Sequence, residues 1–305
     1  MLNFESLAKQ PMHFRNFTGL SVEEANKLIA LIQPDWERQR KEKLKTDGIR
    51  KPGGGRKLDI PEFKDRLLVF FIYAKVYPTY LFLEYLFSVD QSNICHIVQE
   101  MTPILSATIV INRNHKRVRS LEDLREAIPN LDEVLIDATE QRINRPEKKR
   151  LRKKHHSGKK KDFTLKEQLV TTKQKIVLHV SDSSPGRAHD YKYFKTTGVG
   201  EWLEDNPQIK ARMDLGYQGA PKDYPKATIV LPVKRNRWHK TLTRSQKIMN
   251  TKKARARIPV ENNIANLKKF KILSDKYRNL KEHYSAIFKS VCFLSNFRTL
   301  ERMPA

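Results

Sequence analysis

The stretch Glu133-Val134-Leu135-Ile136-Asp137-Ala138-Thr139-Glu140 constrains the fold of this chain more than any other. Three apolar residues, two of them β-branched, follow Pro129-Asn130 and lead into a carboxylate. That pattern reads as a buried central strand. A carboxylate at the end of such a strand is pinned by a rigid scaffold, which suits a metal ligand. The plainer alternative is an ordinary strand end with a solvated Asp, and the stretch alone does not separate the two.

Composition narrows the partners. At 305 residues the chain forms one large domain or two small ones, and its 39% apolar share supports a core. The 60 Lys and Arg against 34 Asp and Glu give a net charge of +26. Such an excess favours a polyanion, nucleic acid before an anionic membrane surface. The longest apolar run, Leu67 to Ala74, is far shorter than the roughly 20 residues of a span. The N-terminus carries Glu5 and no apolar stretch of the signal-peptide kind. Cys95 and Cys292 sit apart among apolar neighbours, so buried thiols in a reduced compartment are expected, and zinc has no support.

In the N-terminal third, Ser21 and Glu24 have capping-box spacing. Val22, Ala25, Leu28, Ile29 and Ile32 then recur at helical spacing, predicting a packing or dimerising helix that ends near Pro34. Residues 49–58 hold three glycines flanked by Arg50, Lys51, Arg56 and Lys57. No Gly-Lys-Ser/Thr closes the run, so it is not a phosphate loop. It is either a flexible linker or a basic arm that lies along DNA through Arg50, Arg56 and Lys57. A helix from Pro61 to about Tyr77 is broken by Pro78-Thr79. Tyr80 to Phe87 makes a second helix, Ser88-Val89-Asp90 a turn, and Gln91 opens a third with Ile94, Ile97, Val98 and Met101 inward. This is the helix-turn-helix pattern, although many helical hairpins look alike. It would present Gln91, Ser92, Asn93 and His96 to a major groove.

Past the strand, residues 145–161 hold ten Lys or Arg against one acid, Glu147. The run is a solvated loop or, since it joins two predicted strands beside Asp137, a loop that grips phosphates through Lys153, Lys154, Lys159, Lys160 and Lys161. Residues 163–171 and 175–180 read as a hairpin, and 183–186 as a turn. Asp190 is placed to cap a short helix, with His189 packed, capping or touching substrate. A short strand from Lys210 ends at Asp214-Leu215-Gly216-Tyr217, and Thr228 to Val233 makes a fifth strand. Pro259 suits the first position of a helix, which would put Glu261 in a first turn that favours a carboxylate. Lys268 shares its face two turns on. A last helix, Tyr284 to Leu300, is expected to close the core.

An Asp on the first strand, an Asp on the fourth and a Glu on a late helix is the ribonuclease H-like order. The expected fold class is therefore α/β, a mixed sheet with flanking helices, behind an all-α helix-turn-helix domain. The expected domains are 1–47, an N-terminal helical segment; 48–58, the basic arm; 59–112, the helix-turn-helix; and 130–305, the catalytic domain. Asp137, Asp214 and Glu261 brought together on one sheet offer the oxygen ligands that two Mg²⁺ ions prefer, with Mn²⁺ as a substitute. Two such ions suit an in-line phosphoryl displacement.

Taken in order, these motifs resemble the DDE transposases of bacterial insertion sequences, in the branch related to the eukaryotic Harbinger elements. The resemblance covers nearly the whole chain. Asp137-Ala138-Thr139-Glu140 with Ile143 and Arg145-Pro146 looks like the first-Asp segment. Ser157-Gly158-Lys159-Lys160-Lys161 with Thr164 and Lys166 is similar to the basic hairpin. Pro185-Gly186 with His189-Asp190, then Asp214-Leu215-Gly216-Tyr217, then Arg257, Val260-Glu261 and Lys268, match the later motifs. The chain departs from the pattern at Phe163, where His is expected, at His156, where Tyr is usual, at Ser88 in place of a turn Gly, and at His96 in place of Arg. The resemblance implies binding to terminal inverted repeats, Mg²⁺-dependent 3′-end cleavage and strand transfer. It also implies that Arg257 and Lys268 position phosphates, that double-stranded DNA is the partner, and that a homodimer or larger assembly works in the bacterial cytoplasm at the nucleoid, without a membrane. A catalytically inactive or domesticated DNA-binding descendant, and a structure-specific nuclease, are the alternatives.

Overall fold

Ser21 and Glu24 form the reciprocal cap that their spacing predicts: the Glu24 N–H donates to Ser21 Oγ at 3.1 Å and the Ser21 N–H to Glu24 Oε2 at 2.8 Å. The computed structural model describes residues 1–44, 57–107, 110–111, 117–118, 130–235 and 241–303. Arg50 and Arg56 lie outside the described residues. The chain divides into two units. One holds residues 1–108, 269–275 and 286–305, and the other holds residues 109–268 and 276–285. The segments Lys269–Asp275 and Ala286–Ala305, expected within a 130–305 domain, thus group with the N-terminal residues.

The N-terminal unit is helical: α1 (Phe4–Ala8), α2 (Pro11–Thr18), α3 (Val22–Leu44), α4 (Phe63–Val76), α5 (Tyr80–Phe87) and α6 (Gln91–Ser106). The apolar run Leu67 to Ala74 is the middle of α4, buried on every side. No helix among the described residues is long and apolar enough to cross a membrane. Arg66 is buried among these residues and fully engaged. Its Nη1 donates to the Ile60 carbonyl at 2.8 Å and its Nε to Glu100 at 3.0 Å, and Glu100 also accepts from Trp36 Nε1 at 2.8 Å. A buried cation needs such pairing to be tolerated. The expected helix end at Pro34 is corrected, since α3 runs through it to Leu44. Proline there removes one backbone donor, but Leu28, Ile32 and Trp36 keep a buried stripe on both sides of it. Cys292 is buried as expected, whereas Cys95 is half-buried.

The turn from α5 to α6 sets the helix-turn-helix. Thr79 caps α5 by accepting from the Phe82 N–H at 3.2 Å, and Asp90 caps α6 by accepting from the Ser92 N–H at 2.8 Å. Between them Ser88 adopts the left-handed conformation, φ 52° and ψ 41°. That backbone costs a residue with a Cβ roughly 1–2 kcal/mol, which glycine avoids.

In the other unit β1 (Glu133–Arg142) is the central strand. After it come α7 (Lys149–His155), β2 (His156–Ser157), β3 (Asp162–Thr171), β4 (Val177–Val180) and β5 (Ser184–Pro185). Then follow α8 (Asp190–Phe194), α9 (Val199–Asp205), β6 (Lys210–Arg212), α10 (Ala220–Asp223), β7 (Ile229–Val230) and α11 (Arg244–Leu267), while α12 (Tyr284–Arg302) lies almost wholly in the first unit. The sheet order is β2-β3-β1-β6-β7, with β4 and β5 also on β3. β3 is antiparallel to β1, and β6 and β7 run parallel to it. Residues 184–185, expected in a turn, instead pair with Leu165 and Lys166.

Two expectations about α11 are corrected. It starts with a capping box at Thr243, whose Oγ1 accepts from the Gln246 N–H at 3.2 Å while Gln246 Oε1 accepts from the Thr243 N–H at 3.0 Å. Pro259 is therefore internal and Glu261 stands far beyond the first turn. The helix dipole does not explain that carboxylate.

Replacing Ser88 by Gly is expected to stabilise the N-terminal unit by roughly 1 kcal/mol, because the left-handed strain disappears. The denaturant midpoint of that unit is the measure, and an unchanged midpoint means that the Ser88 backbone is not strained.

Candidate active site

The parallel register of β1 and β6 determines where two carboxylates meet. Glu133 pairs with Lys210, Val134 with Ala211 and Leu135 with Arg212. Two residues further along each chain stand Asp137 and Asp214. The expected strand end at Asp137 is corrected, since Asp137 lies inside β1, which runs on to Arg142, whereas Asp214 lies two residues beyond the end of β6, the strand that pairs with β1 about 4.8 Å away. Val134, Leu135 and Ile136 are fully buried, so the strand cannot slide without exposing them.

Asp137 is mostly buried, its side chain 22% exposed. Burial pushes its carboxyl up to about 6, and the nearby charges of Asp214 and Asp190 push the same way. Arg257 and the Ala138 N–H oppose the shift. The Ala138 N–H donates to Oδ1 at 2.8 Å, and Arg257 Nη2 donates to Oδ2 at 3.3 Å. Asp214 caps the short 3₁₀ turn Leu215–Tyr217, its Oδ1 accepting from the Gly216 N–H at 2.8 Å. A Cβ on Gly216 would stand 2.8 Å from that oxygen and 3.1 Å from Asp190 Oδ2, so a side chain there would displace at least one of the two carboxylates.

Helix α11 supplies the third side. Arg257, Glu261, Ile264 and Lys268 recur at helical spacing along one stripe. Glu261, Ile264 and Lys268 line a cleft of about 230 Å³ with residues 137–140, Lys159 and Lys160. Arg257 reaches Asp137 and keeps a buried Nε with no partner among the described residues. Lys268 donates to the Glu140 carbonyl at 3.3 Å. Burial and then the charge of Lys160 lower its proton affinity, only partly offset by Glu140. An anion in the cleft would relieve both strains.

Glu140 lies opposite Lys166 in the register, whereas Asp137 lies opposite Leu169. Its Oε2 accepts from Thr164 Oγ1 at 2.9 Å, and Lys166 Nζ lies 3.9 Å from Oε1. Among the described residues no three His, Cys, Asp or Glu side chains stand close enough together to hold a metal ion. Asp137 and Asp214 each follow the paired residues of their strands by two, and Glu261 shares the cleft with Asp137. In this arrangement the guanidinium of Arg257 is the cation beside Asp137.

The basic segment is not the continuous loop one expectation had. Lys153 and Lys154 are exposed in the last turn of α7, where the helix dipole favours cations, and Lys159, Lys160 and Lys161 form the exposed turn after β2. The departures at His156 and Phe163 turn out to be one feature. The two residues are register partners, with rings 5.8 Å apart at 76°. An imidazole and a phenyl ring thus meet across the two strands.

In the helical unit Gln91, Ser92 and His96 are exposed at the start of α6 and Asn93 is half-buried. Ser92 is tied to the Asp90 cap, and Asn93 Nδ2 donates to Asp59. Lys57, Asp59, Asn93 and His96 line one cleft of about 200 Å³. The basic arm thus ends beside the polar face of α6.

Sequence reasoning missed three residues of the acid site. Asp190 was assigned to a cap, but His189 caps α8, its Nδ1 accepting from the Tyr191 N–H at 3.3 Å. Lys166 holds Asp190 instead, and Tyr217 is buried beside the acids. The Gly216 between Asp214 and Tyr217 was the available signal.

Residues 136–296 match the family described as DDE superfamily endonuclease, and residues 60–109 match the helix-turn-helix of DDE superfamily endonuclease. The chain is 30% identical over 287 residues to a probable transposase for insertion sequence element IS702 from Microchaete diplosiphon, covering 93% of each chain. No solved structure gives a significant match.

With its folded value near 6 against about 4 for a free Asp, Asp137 favours the metal-free fold only while protonated. That contribution is complete below about pH 4 and is lost as pH rises through 6. Asp137→Asn is therefore expected to melt higher than wild type at pH 8, by an amount of order 1–3 kcal/mol, with the gain shrinking toward pH 5. Thermal unfolding in chelator across that range checks it, and a lower melting temperature at pH 8 contradicts it.

Proposed function

Because this chain belongs to the DDE transposases, we propose that it binds the terminal inverted repeats of its own element, cuts the 3′ ends there and joins them to target DNA. One observation carries the reading above the others. Asp137, within β1, and Asp214, just past the end of the parallel neighbour β6, each follow the paired residues by two, and Asp137 shares its cleft with Glu261 and Lys268 of the α11 stripe. All three acids offer hard oxygen ligands, which fit Mg²⁺ or Mn²⁺ in kind. Asp137, Asp214 and Glu261 would hold two such ions, which lower the charge cost on the attacking and leaving oxygens of a phosphoryl displacement.

The chain's own side chains do the rest. Lys268, Lys159 and Lys160 grip the phosphates that flank the scissile bond. Arg257 can turn its spare Nε toward a phosphate oxygen while it still orients Asp137. Water attacks the phosphorus, the bond to the 3′ oxygen breaks, and that freed 3′-OH later attacks a phosphorus of the target strand. Gln91, Ser92, Asn93 and His96 read the repeat, with Lys57 beside them on the backbone. Arg50, Arg56, Lys153, Lys154 and Lys161 add sequence-independent affinity. Holding two element ends at once calls for a homodimer or a larger assembly on DNA. Work on DNA puts the protein at the bacterial nucleoid.

A second reading, a DNA-binding copy without catalysis, is favoured by the Arg257 contact on Asp137 and by the lack, among the described residues, of three His, Cys, Asp or Glu side chains grouped to hold an ion. Mg²⁺ with labelled cognate ends separates the two, since joined products support the transposase, cut products alone a nuclease, and a shifted band alone the binding protein.

Neutral replacement of Asp137, Asp214 or Glu261 is expected to abolish cutting and joining while end binding persists. Glu140→Gln is the control, expected to keep activity. Wild-type cutting by Glu261→Gln removes Glu261 from the site. A folded but dead Glu140→Gln adds Glu140 to it.

Replacing Lys159, Lys160 and Lys161 together by Gln is expected to flatten the logarithmic salt dependence of duplex binding by about 0.9 for each phosphate that the turn no longer neutralises. An unchanged slope makes the turn a solvated surface.

A further inference from the structure

Helix α5 is apolar on both of its sides. Leu83 and Phe87 are fully buried in the N-terminal unit, while Leu81, Phe82 and Tyr85 are 61%, 51% and 82% exposed. Tyr85 stands three residues from Phe82 and four from Leu81, so the three side chains form one outward face. A helix that is apolar all round is ordinarily covered all round. The one charged residue of α5 is Glu84, and its Oε2 is tied to the Gln91 N–H at 2.9 Å. Asp90, in the turn that follows, is likewise tied to the Ser92 N–H at 2.8 Å.

The second observation is one of charge. Lys and Arg make up 60 of the 305 residues, yet none occurs at residues 76–112. No other stretch without them is half as long. It takes in α5, the turns on either side of it, and α6, the helix packed against it. A face that grips phosphates needs cations, and this helix pair supplies none. A second copy of the chain has the opposite requirement. Each copy carries a net charge of +26, so two copies repel wherever their cations meet. At physiological salt that repulsion is screened beyond about 8 Å, which leaves the decision to the charges at the touching faces. An apolar face bordered by acids, on a helix pair free of Lys and Arg, suits a contact between copies.

We propose that the face of α5 formed by Leu81, Phe82 and Tyr85 is where a second copy of this chain docks, α5 against α5 about a twofold axis. The proposal rests on the reading that two copies pair on DNA, and it names the surface that pairs them. Such a contact uses the same patch on both sides and therefore closes at two copies. The residues proposed to read DNA lie on α6, so each copy brings its own reading helix into one symmetric pair.

The test is the mass of the full-length protein by sedimentation over a range of concentrations, alone and with a duplex carrying one cognate end, at low and at moderate salt. Wild type, Tyr85→Ser, Tyr85→Lys and Leu81→Ser are compared, each with its melting temperature. Wild type is expected to pair, and each variant to pair about 10-fold more weakly or worse. Tyr85→Lys sets a cation on each side of the contact, so its extra deficit should shrink as salt is added, whereas that of Tyr85→Ser should not. Both side chains are mostly exposed, so in dilute, unpaired protein the variants should melt with wild type. Should one variant fail to fold, the other two decide. Wild-type pairing in folded Tyr85→Ser and Leu81→Ser overturns the surface and leaves the reading of a paired protein standing. The same result joined to weaker duplex binding assigns the face to DNA and overturns the proposal as well. A wild type that stays single at every concentration, alone and on DNA, overturns both.

Discussion

A carboxylate inside the central strand, directly after three fully buried residues, is the constraint on which the second unit depends. Taking Asp137 out of water disfavours its charge, and the surroundings compensate only in part. The Ala138 N–H serves one oxygen and Arg257 the other. Because Arg257 comes from α11, its bond to Asp137 helps to fix the helix along β1, and the same stripe then carries Glu261 and Lys268 to the cleft. On the neighbouring strand the three residue pairs in register suffice to bring Asp214, two residues past its end, near Asp137. The glycine after Asp214 then leaves room for a further acid. Each step follows from the sheet register, which the apolar run Val134 to Ile136 holds against slippage by even one residue.

The sequence was most legible where a signal is local. The Ser21–Glu24 cap, the break at Pro78-Thr79, the helix opening at Gln91 and the hairpin after Asp162 all rest on neighbours within a few residues. Proline misled at Pro34 and Pro259 for one reason. Inside a helix of 23 or 24 residues one missing donor is outweighed by the remaining ladder, and buried positions lie on both sides of Pro34 and, at Val260, Asn263 and Leu267, after Pro259. The true start of α11 was written in Thr243 and Gln246, but a strongly basic segment masked it. The site was legible in its letters and not in its partners. Asp137, Asp214 and Glu261 stand at strand or helix positions that pattern can find. Asp190, Lys166 and Tyr217 meet only through the packing of β3, α8 and the turn after β6, which no sequence spacing encodes.

His156 and Phe163 illustrate the same limit from the other side. Taken singly, each departs from the residue expected at its position. In the antiparallel register they face each other and their rings pack edge to face. The unit that carries meaning there is the cross-strand pair. A substitution read along the chain therefore overstates the change at the basic hairpin, whose lysines remain exposed on the turn beyond that pair.

Charge supplies the last step. A chain with a net charge of +26 repels itself, and the catalytic cleft concentrates the problem. Lys268 is half-buried with Lys160 as its unfavourable neighbour, and the bond it makes there is to a backbone carbonyl. Arg257 keeps a buried Nε unused among the described residues, and Tyr217 a buried hydroxyl. On the acid side Asp214 and Asp190 raise the cost of ionising Asp137, and all three raise that of Tyr217. Cations without anions thus border carboxylates with too few cations. Pairing within the protein does not cancel the two sets, because the sheet and α11 hold most of them apart at fixed positions. A phosphodiester backbone is anionic and so complements the first set. A divalent cation is small and hard and so complements the second. On the proposed function, a nucleic-acid strand entering the cleft with metal ions would lower both strains, and the free protein would hold its charges in an arrangement that the complex satisfies.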